Sequence, residues 1–367
     1  MTTTTDSKYA AAGVNIAEGD RAVQLMKAAV KATYTPAVLA GIGAFGGMID
    51  VSALKHMDVP VLVASTDGVG TKTMIAQAMN RWNTVGADLV NHSVNDVLVQ
   101  GAAPLFFMDY VAAAKLDATR VADIVGGMAV ACKELGCVLL GGETAEMPGV
   151  YHDGHWDVAG TIVGVVDKAQ ALDGSKIVAG DVLMSLPASG LHTNGYSLAR
   201  LVLKDLPWDV AVKDLMSQGK IPAYTDLSPA QTAQLSQSLG DLLLAVHVAY
   251  LRPYQALKAA GVDIHGMVHI TGGGLTENIP RVLPEGLSAQ VQCGTWPVPL
   301  IFELIARIGS ISHAEQMQVF NMGIGMLLAV PAAHAELAIK TLGADGVHRV
   351  GQVNARTGNM PAVDILV

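Results

Sequence analysis

Asp67-Gly-Val-Gly-Thr-Lys72 brings a carboxylate, two glycines, a hydroxyl and an ammonium together within six residues. Gly68 and Gly70 let the backbone approach a ligand closely. A helix starting near Thr71 would present N–H groups to phosphate, with Lys72 as a point charge. Asp67 is suited to hold Mg2+ through one carboxylate, leaving the other positions to water and phosphate oxygens. The G-x-x-x-x-G-K spacing of a Walker A loop is absent. An ordinary strand–turn–helix with Asp67 as a cap fits the same letters, and the residues alone leave both readings open.

Four further groups carry polar chemistry. Asp88, His92, Asn95 and Asp96 recur at helical spacing. They form either a solvated stripe or a face on which Asp96 joins Asp67 at a metal. His92 reads as a hydrogen-bonded helix histidine. Gly141-Gly-Glu143-Thr-Ala-Glu146-Met-Pro-Gly149 follows an apolar run, and two carboxylates on a glycine-flanked loop at a strand end suit metal or ligand contacts. Ser189-Gly-Leu-His192-Thr-Asn194-Gly-Tyr196 sets imidazole and amide groups on a loop before a helix. Thr271-Gly272-Gly273-Gly274 ends a strand with the makings of an anion nest for a substrate phosphate. Each of these, taken singly, is also compatible with a plain turn. His152, Asp153, His155 and Asp157 read as a solvated hairpin rather than a metal site.

Gly41-Ile-Gly43-Ala-Phe45-Gly46 matches the dinucleotide fingerprint letter for letter. That fingerprint must follow a strand and open a helix. Here a Pro-containing segment precedes it and the clear strand comes only at Val59, so a Rossmann site is rejected. A glycine-rich flap over a ligand, with Phe45 as its one anchoring side chain, and a structural turn remain.

The elements that must position these groups alternate between strand-like and helical patterns, which indicates an α/β (α+β) chain. Helices are expected from Arg21 to about Ala32 with Asp20 as cap, over Thr84–Gln100 and over Asp117–Leu135. Strands are expected at Val59–Thr66, which reads as buried, and at Leu105–Tyr110, Cys137–Leu140 and Trp156–Asp167. The second half repeats the mixture: strands at Val182–Leu186, Ile264–His269 and Gly323–Val330, and helices from Gly195, through Asp241–Ala260 and after Gly272–Gly274. The turn-rich Asp173–Gly180 divides the chain into expected domains of residues 1–173 and 174–367.

Composition narrows the class of function. The chain has 367 residues, 51% of them hydrophobic and 15% charged. That low charge implies a large core, a subunit interface, or both. A net charge of −9 without Lys/Arg clusters argues against a nucleic-acid or anionic-membrane surface. Phosphate on a small substrate stays compatible, because backbone N–H groups and a metal hold it without net basicity. The start MTTTTDSKYA lacks the basic and apolar pattern of a signal peptide, and no apolar run reaches the ~20 residues of a membrane helix. Cys132, Cys137 and Cys293 lack CxxC spacing and read as free thiols, so a reducing, cytoplasmic setting is expected.

In this order the segments resemble the phosphoribosylformylglycinamidine cyclo-ligase (aminoimidazole ribonucleotide synthetase) family. The match runs through Tyr9–Asn15, Gly41–Gly47, Asp67–Lys72, Val94–Asp96, Gln100–Tyr110, Gly141–Gly149, Ser189–Tyr196, His269–Arg281 and Phe320–Gly325. The resemblance implies an N-terminal mixed sheet that pairs with its twin into a barrel in a homodimer, and a C-terminal mixed α/β sandwich. It implies ATP and Mg2+, with Asp67, Asp96 and Glu143 as the metal-phosphate group. Lys27 and Lys72 would approach the phosphates, under a flap that includes Gly41, Gly43, Phe45 and Gly46. His192 and Asn194 would face the substrate, and Thr271–Gly274 its ribose phosphate. The departures, Thr73-Met74 and Thr276, touch no assigned role. Selenophosphate synthetases carry a reactive Cys or selenocysteine in the glycine loop, which is absent here. Formylglycinamidine ribonucleotide synthetases resemble a duplicated version. Thiamine-monophosphate kinases and the hydrogenase-maturation relative lack the full GGETAEMPG segment. A non-catalytic nucleotide-binding paralogue is the alternative outside catalysis.

Overall fold

A computed structural model describes residues 15–344 and 346–367. The Tyr9–Val14 part of the first matching motif lies outside them. The chain divides into two units: residues up to Val97 with Ala102–Ala169, and Leu98–Gly101 with Gln170–Val367.

The first unit is built on a four-stranded sheet. In chain order its elements are α1 (Ile16–Lys31), β1 (Val38–Ala40), β2 (Met48–Ile49), β3 (Pro60–Gly68), α2 (Lys72–Met79) and α3 (Asn83–Leu98). Then come β4 (Ala103–Ala113), α4 (Ala118–Glu134), β5 (Val138–Glu146) and β6 (Trp156–Asp167). The strand order is β3-β6-β4-β5, antiparallel except for the β4/β5 pair. β1 and β2 form a separate antiparallel ribbon. The parallel pair needs a crossover, which α4 supplies. Asp117 caps α4 by accepting the Thr119 and Arg120 N–H groups.

Three expectations need correction here. α1 starts at Ile16, not Arg21, because Asn15 rather than Asp20 is the cap: its side chain accepts the Glu18 N–H at 3.3 Å. α1 turns Ala22, Met26 and Val30 inward and packs against α4. The run around Val59–Thr66 forms β3, an edge strand with no fully buried residue, so its β-branched pattern describes a face that the single chain leaves uncovered. β5 does not stop at Leu140 but runs on through Glu146, so Gly141–Glu146 is strand, not loop.

The second unit carries a six-stranded sheet of order β12-β9-β11-β7-β10-β8. These strands are β7 (Val182–Pro187), β8 (Gly266–His269), β9 (Leu287–Gln292), β10 (Ile324–Val330), β11 (His348–Ala355) and β12 (Val363–Leu366). All pairs are antiparallel except β12 with β9. Every residue of β10 is buried, as its unbroken apolar run requires. The helices expected through Asp241–Ala260 are two, Leu239–Leu243 and Leu251–Ala259, with His247 in the break between them. The helix after the triple glycine is a single short turn, Gly274–Asn278. Among the described residues no helix is long and apolar enough to cross a membrane.

Candidate active site

In the first unit the predicted residues separate into two groups. One surrounds His92. Its Nε2 lies 2.6 Å from Asp67 Oδ2 and 3.6 Å from Asp96 Oδ2. Asp67 stands at the end of β3 and also accepts the Gly68 N–H at 2.6 Å, while Asp96 accepts the Ser65 hydroxyl at 3.0 Å. The imidazole is buried, which by itself lowers its pKa. The Asp67 hydrogen bond, followed by the charges of Asp96, Asp67 and Asp88, reverses this, and the net shift is upward. The polar stripe of α3 is therefore not a solvated face: Asp88, His92 and Asn95 are buried and Asp96 is half-buried.

Lys72 does not extend toward a ligand. Its ammonium is fully buried in an ion pair with Asp88, 2.8 Å away. Burial lowers the lysine pKa and the Asp88 charge opposes that shift. This replaces the expectation of a phosphate contact, since a sealed ammonium has no face left to offer. Thr71 takes the N-cap position of α2 without a side-chain cap bond, and Gly70 has φ +65°. The turn is tied to β6 by the Val69 N–H on the Val158 carbonyl at 2.9 Å.

The other group lines a cavity of about 360 Å3 beneath the Gly41–Gly47 loop. Its walls are apolar, with Val23 and Met26 from α1 and Leu139 and Leu140 from β5, and its rim carries Asp109 and Glu143. Glu143 is three strands from Gly68 through the register Glu143–Tyr110–Ala159–Gly68. At ~4.8 Å per strand that is roughly 14 Å, so Glu143 does not join Asp67 and Asp96 around one ion. Lys27 is exposed on α1, beside the cavity residue Met26.

The loop itself runs from β1 to β2 as a hairpin. A short strand does precede it, contrary to the sequence reading, but no helix follows, so the dinucleotide context is absent all the same. Tyr34 holds one end, accepting the Ile42 N–H at 2.7 Å. Phe45 is fully exposed. Glu146 has a scaffolding place: it accepts the Leu116 N–H at 2.8 Å and the Asn15 N–H.

In the second unit the predicted residues gather at one end of the sheet, where β7 and β8 finish and β10 begins. His192 sits in the left-handed region at φ +61°, a strained place for a residue with a side chain. Its Nε2 accepts the Ser189 N–H at 3.3 Å and the Val248 N–H at 3.4 Å, which puts the ring proton of the neutral form on Nδ1. The ring stacks on His247 at 3.9 Å, and His247 Nε2 lies 3.0 Å from His269 Nε2. Asn194 lies against Gly272. Asn278 holds the triple-glycine turn, donating to the carbonyls of Thr271, Gly272 and Gly274 at 3.3, 3.1 and 2.8 Å. The Gly274 N–H is spent within the turn, on the Thr271 carbonyl. Asn321 ties in the Phe320–Gly325 segment through the Gly190 carbonyl at 2.9 Å.

Asp109, His247 and Asn278 escaped the sequence reading. Asp109 had a signal, an acid inside the apolar strand Leu105–Tyr110. The other two had none, because their partners are distant or belong to a turn whose closure no local pattern encodes.

Known proteins fit both units. Residues 48–166 match the family "AIR synthase related protein, N-terminal domain" and residues 178–363 its C-terminal domain. The chain is 47% identical over 322 residues to the phosphoribosylformylglycinamidine cyclo-ligase of Desulfitobacterium hafniense (strain DSM 10664 / DCB-2), 88% of each chain. It is 43% identical over 357 residues, 97% of each chain, to that of Chromobacterium violaceum. Solved structures share the fold at lower identity. The thiamine-monophosphate kinase of Stenotrophomonas maltophilia K279a superposes with a TM-score of 0.63 at 15% identity, over 94% of this chain and 95% of that one. The hydrogenase maturation protein HypE in complex with ATP does so with 0.63 at 17%, over 95% and 90%. Such identities carry the fold alone, whereas 43–47% across nearly the whole chain separates the cyclo-ligases from those relatives. The chain belongs to the phosphoribosylformylglycinamidine cyclo-ligase family.

Proposed function

We infer that the chain closes the imidazole ring of 5-aminoimidazole ribonucleotide from formylglycinamidine ribonucleotide, in purine biosynthesis, with ATP as the phosphoryl donor. The observation that carries this reading is the 43–47% identity to cyclo-ligases over 88–97% of the chain. The formyl amide oxygen is a poor leaving group. Its attack on the γ-phosphorus releases ADP and turns it into a phosphate ester. The amidine nitrogen of the same molecule then attacks the formyl carbon, whose C–O bond breaks to expel phosphate, and loss of a proton gives the ring. Such a reaction asks mainly for positioning and charge compensation.

Asp67 and Asp96 are the groups we assign to Mg2+. Two carboxylates drawn together by one imidazole suit a hard cation that takes a few protein oxygens and keeps the rest for water and phosphate. When bound, Mg2+ offsets charge on the phosphoryl oxygens. His92 orients the Asp67 carboxylate, and Lys72 with Asp88 stiffens the α2/α3 junction beneath it. The cavity under the Gly41–Gly47 loop is our candidate for the nucleoside end of ATP, with Glu143 at its rim and Lys27 nearby. In the second unit, His192, Asn194 and the Thr271–Gly274 turn are our candidates for substrate contact. The uncovered edge strand β3, with Leu62 exposed on it and Val59 exposed just before it, supports a homodimer in which the two N-terminal sheets join. We assign the chain to the cytoplasm, a reading that the free thiols of Cys132, Cys137 and Cys293 support.

The test is direct. Incubation with formylglycinamidine ribonucleotide and Mg-ATP is expected to yield 5-aminoimidazole ribonucleotide, ADP and phosphate in equal amounts, with no glutamine requirement. Phosphate release indifferent to the formylglycinamidine substrate would sink the reading.

A further inference from the structure

Asp67, Gly160, Asp109 and Gly142 form one register row across the sheet of the first unit, one residue from each strand. Asp109 thus has a glycine on either side. A Cβ at Gly142 would collide with Asp109 Oδ1 and stand 2.6 Å from its carbonyl oxygen. A Cβ at Gly160 would collide with the ring of Phe107, two residues before Asp109 on the same strand. The room for this carboxyl therefore exists because Gly142 has no side chain, while Gly160 makes way for the Phe107 ring beside it.

The cavity that Asp109 borders is not built for a triphosphate. Its walls are Val23, Met26 and Val30 from α1, Val125 from α4, and Leu139 and Leu140 from β5, while Asp67 and Asp96 lie outside it. An apolar slot with a few polar groups at its edge suits a flat heterocycle. We propose that Asp109 is the base-reading residue of this cavity, its carboxyl pairing with the amino and ring-nitrogen edge of adenine. The proposal rests on the cavity being the nucleoside site.

The pairing needs a donor for N1 and an acceptor for the N6 amino group. A neutral carboxyl supplies both, and a carboxylate supplies only the acceptor. Burial pushes the Asp109 pKa up to about 7, so the neutral form persists to near neutrality. The titratable groups around Asp109 are few. Cys132 on α4 and Cys137 before β5 are buried thiols, and burial, ahead of the mutual hydrogen bond, holds the Cys132 thiol well above its ordinary value. Glu143 on β5 shares the cavity rim; β6 contributes Gly160 at this row, and the α1 residues that line the cavity carry no charge. Guanine, with O6 and N1–H on the same edge, pairs with the neutral acid, and through N1–H and N2–H it pairs with the carboxylate as well. Adenine alone is therefore released as the acid ionises.

The measurement is the ratio of ATP to GTP affinity for the whole chain with Mg2+, by calorimetric titration between pH 6 and pH 8. Taking a ratio cancels ionisation of the phosphates, which both nucleotides share. In the wild type the ratio is expected to fall about tenfold over this range as the carboxyl loses its proton. Asp109→Asn, whose amide donates and accepts at every pH, is expected to keep ATP binding and lose the slope. Asp109→Leu is expected to lose about tenfold or more in ATP affinity. A flat wild-type ratio, or the same slope in Asp109→Asn, overturns the assignment while leaving the nucleotide reading of the cavity intact. A wild type that binds neither nucleotide overturns both. Asp109→Asn is close to isosteric, so the test survives if Asp109→Leu does not fold.

Discussion

His92 and Asp67 meet at 2.6 Å between a buried imidazole and a half-exposed carboxylate, and the same nitrogen reaches Asp96 at 3.6 Å. One end of the strand β3 and one face of the helix α3 are thereby fixed to each other through functional groups rather than through packing alone. Asparagine in place of either acid keeps an acceptor for these ties and removes only the charge, so it should act on phosphate handling far more than on folding. Asp67→Asn and Asp96→Asn are each expected to lower turnover by about 10²-fold or more. Their thermal midpoints should stay within a few degrees of wild type. Near-wild-type turnover with unchanged Mg2+ dependence in either variant would remove that residue from the metal group.

The Lys72–Asp88 pair should behave in the opposite way. Both side chains are fully buried at 2.8 Å, so truncating one leaves an uncompensated buried charge. Lys72→Met alone and Asp88→Leu alone are each expected to cost about 3–5 kcal/mol in urea unfolding. The double variant should recover most of that loss. A double-variant loss equal to the sum of the two single losses would mean that the pair is not coupled.

The β3 edge should be covered in solution. Sedimentation at micromolar concentration is expected to give about twice the 38.1 kDa chain mass. Leu62 is exposed near the start of that strand, and Leu62→Lys should shift the equilibrium toward the monomer. A wild type that remains monomeric and active would refute the dimer.

The Gly41–Gly47 hairpin should close over nucleotide. Limited proteolysis is expected to cut it in the apo protein and to be suppressed by Mg-ATP but not by NAD. Gly43 has φ +96° and open space around it, so Gly43→Val strains the backbone of the loop without disturbing the core. It should weaken ATP use and change the thermal midpoint little. Protection by micromolar NAD would revive the dinucleotide reading.

Much of the scaffold was legible because it follows local rules. The helix after Asp117 is marked by its cap and by one apolar face, and the strand Trp156–Asp167 by alternation along its length. The start of α1 was misread because Asp20 offers a cap signal five residues after the real one at Asn15. β5 was cut short because Gly141-Gly142 reads as a turn, whereas Gly142 is there to make way for Asp109. At the candidate site the motifs picked out Asp67, Asp96 and His192, but Lys72 faces inward for a reason that lies on another helix, at Asp88. His247 touches His192 and His269 across long stretches of sequence, and no spacing rule reaches that far.

The left-handed backbone at His192 has a consequence for how this protein would respond to selection. Holding an imidazole at φ +61° costs on the order of 1 kcal/mol, which glycine would not incur and asparagine would incur less. The ring offsets that cost locally, because it is buried, stacks on His247 and accepts the Ser189 and Val248 N–H groups, each of which would cost about 1–3 kcal/mol if left unpaired. Libraries screened on melting temperature should therefore keep the histidine at 192 even where turnover is not selected, so its persistence in such libraries is no sign of chemistry.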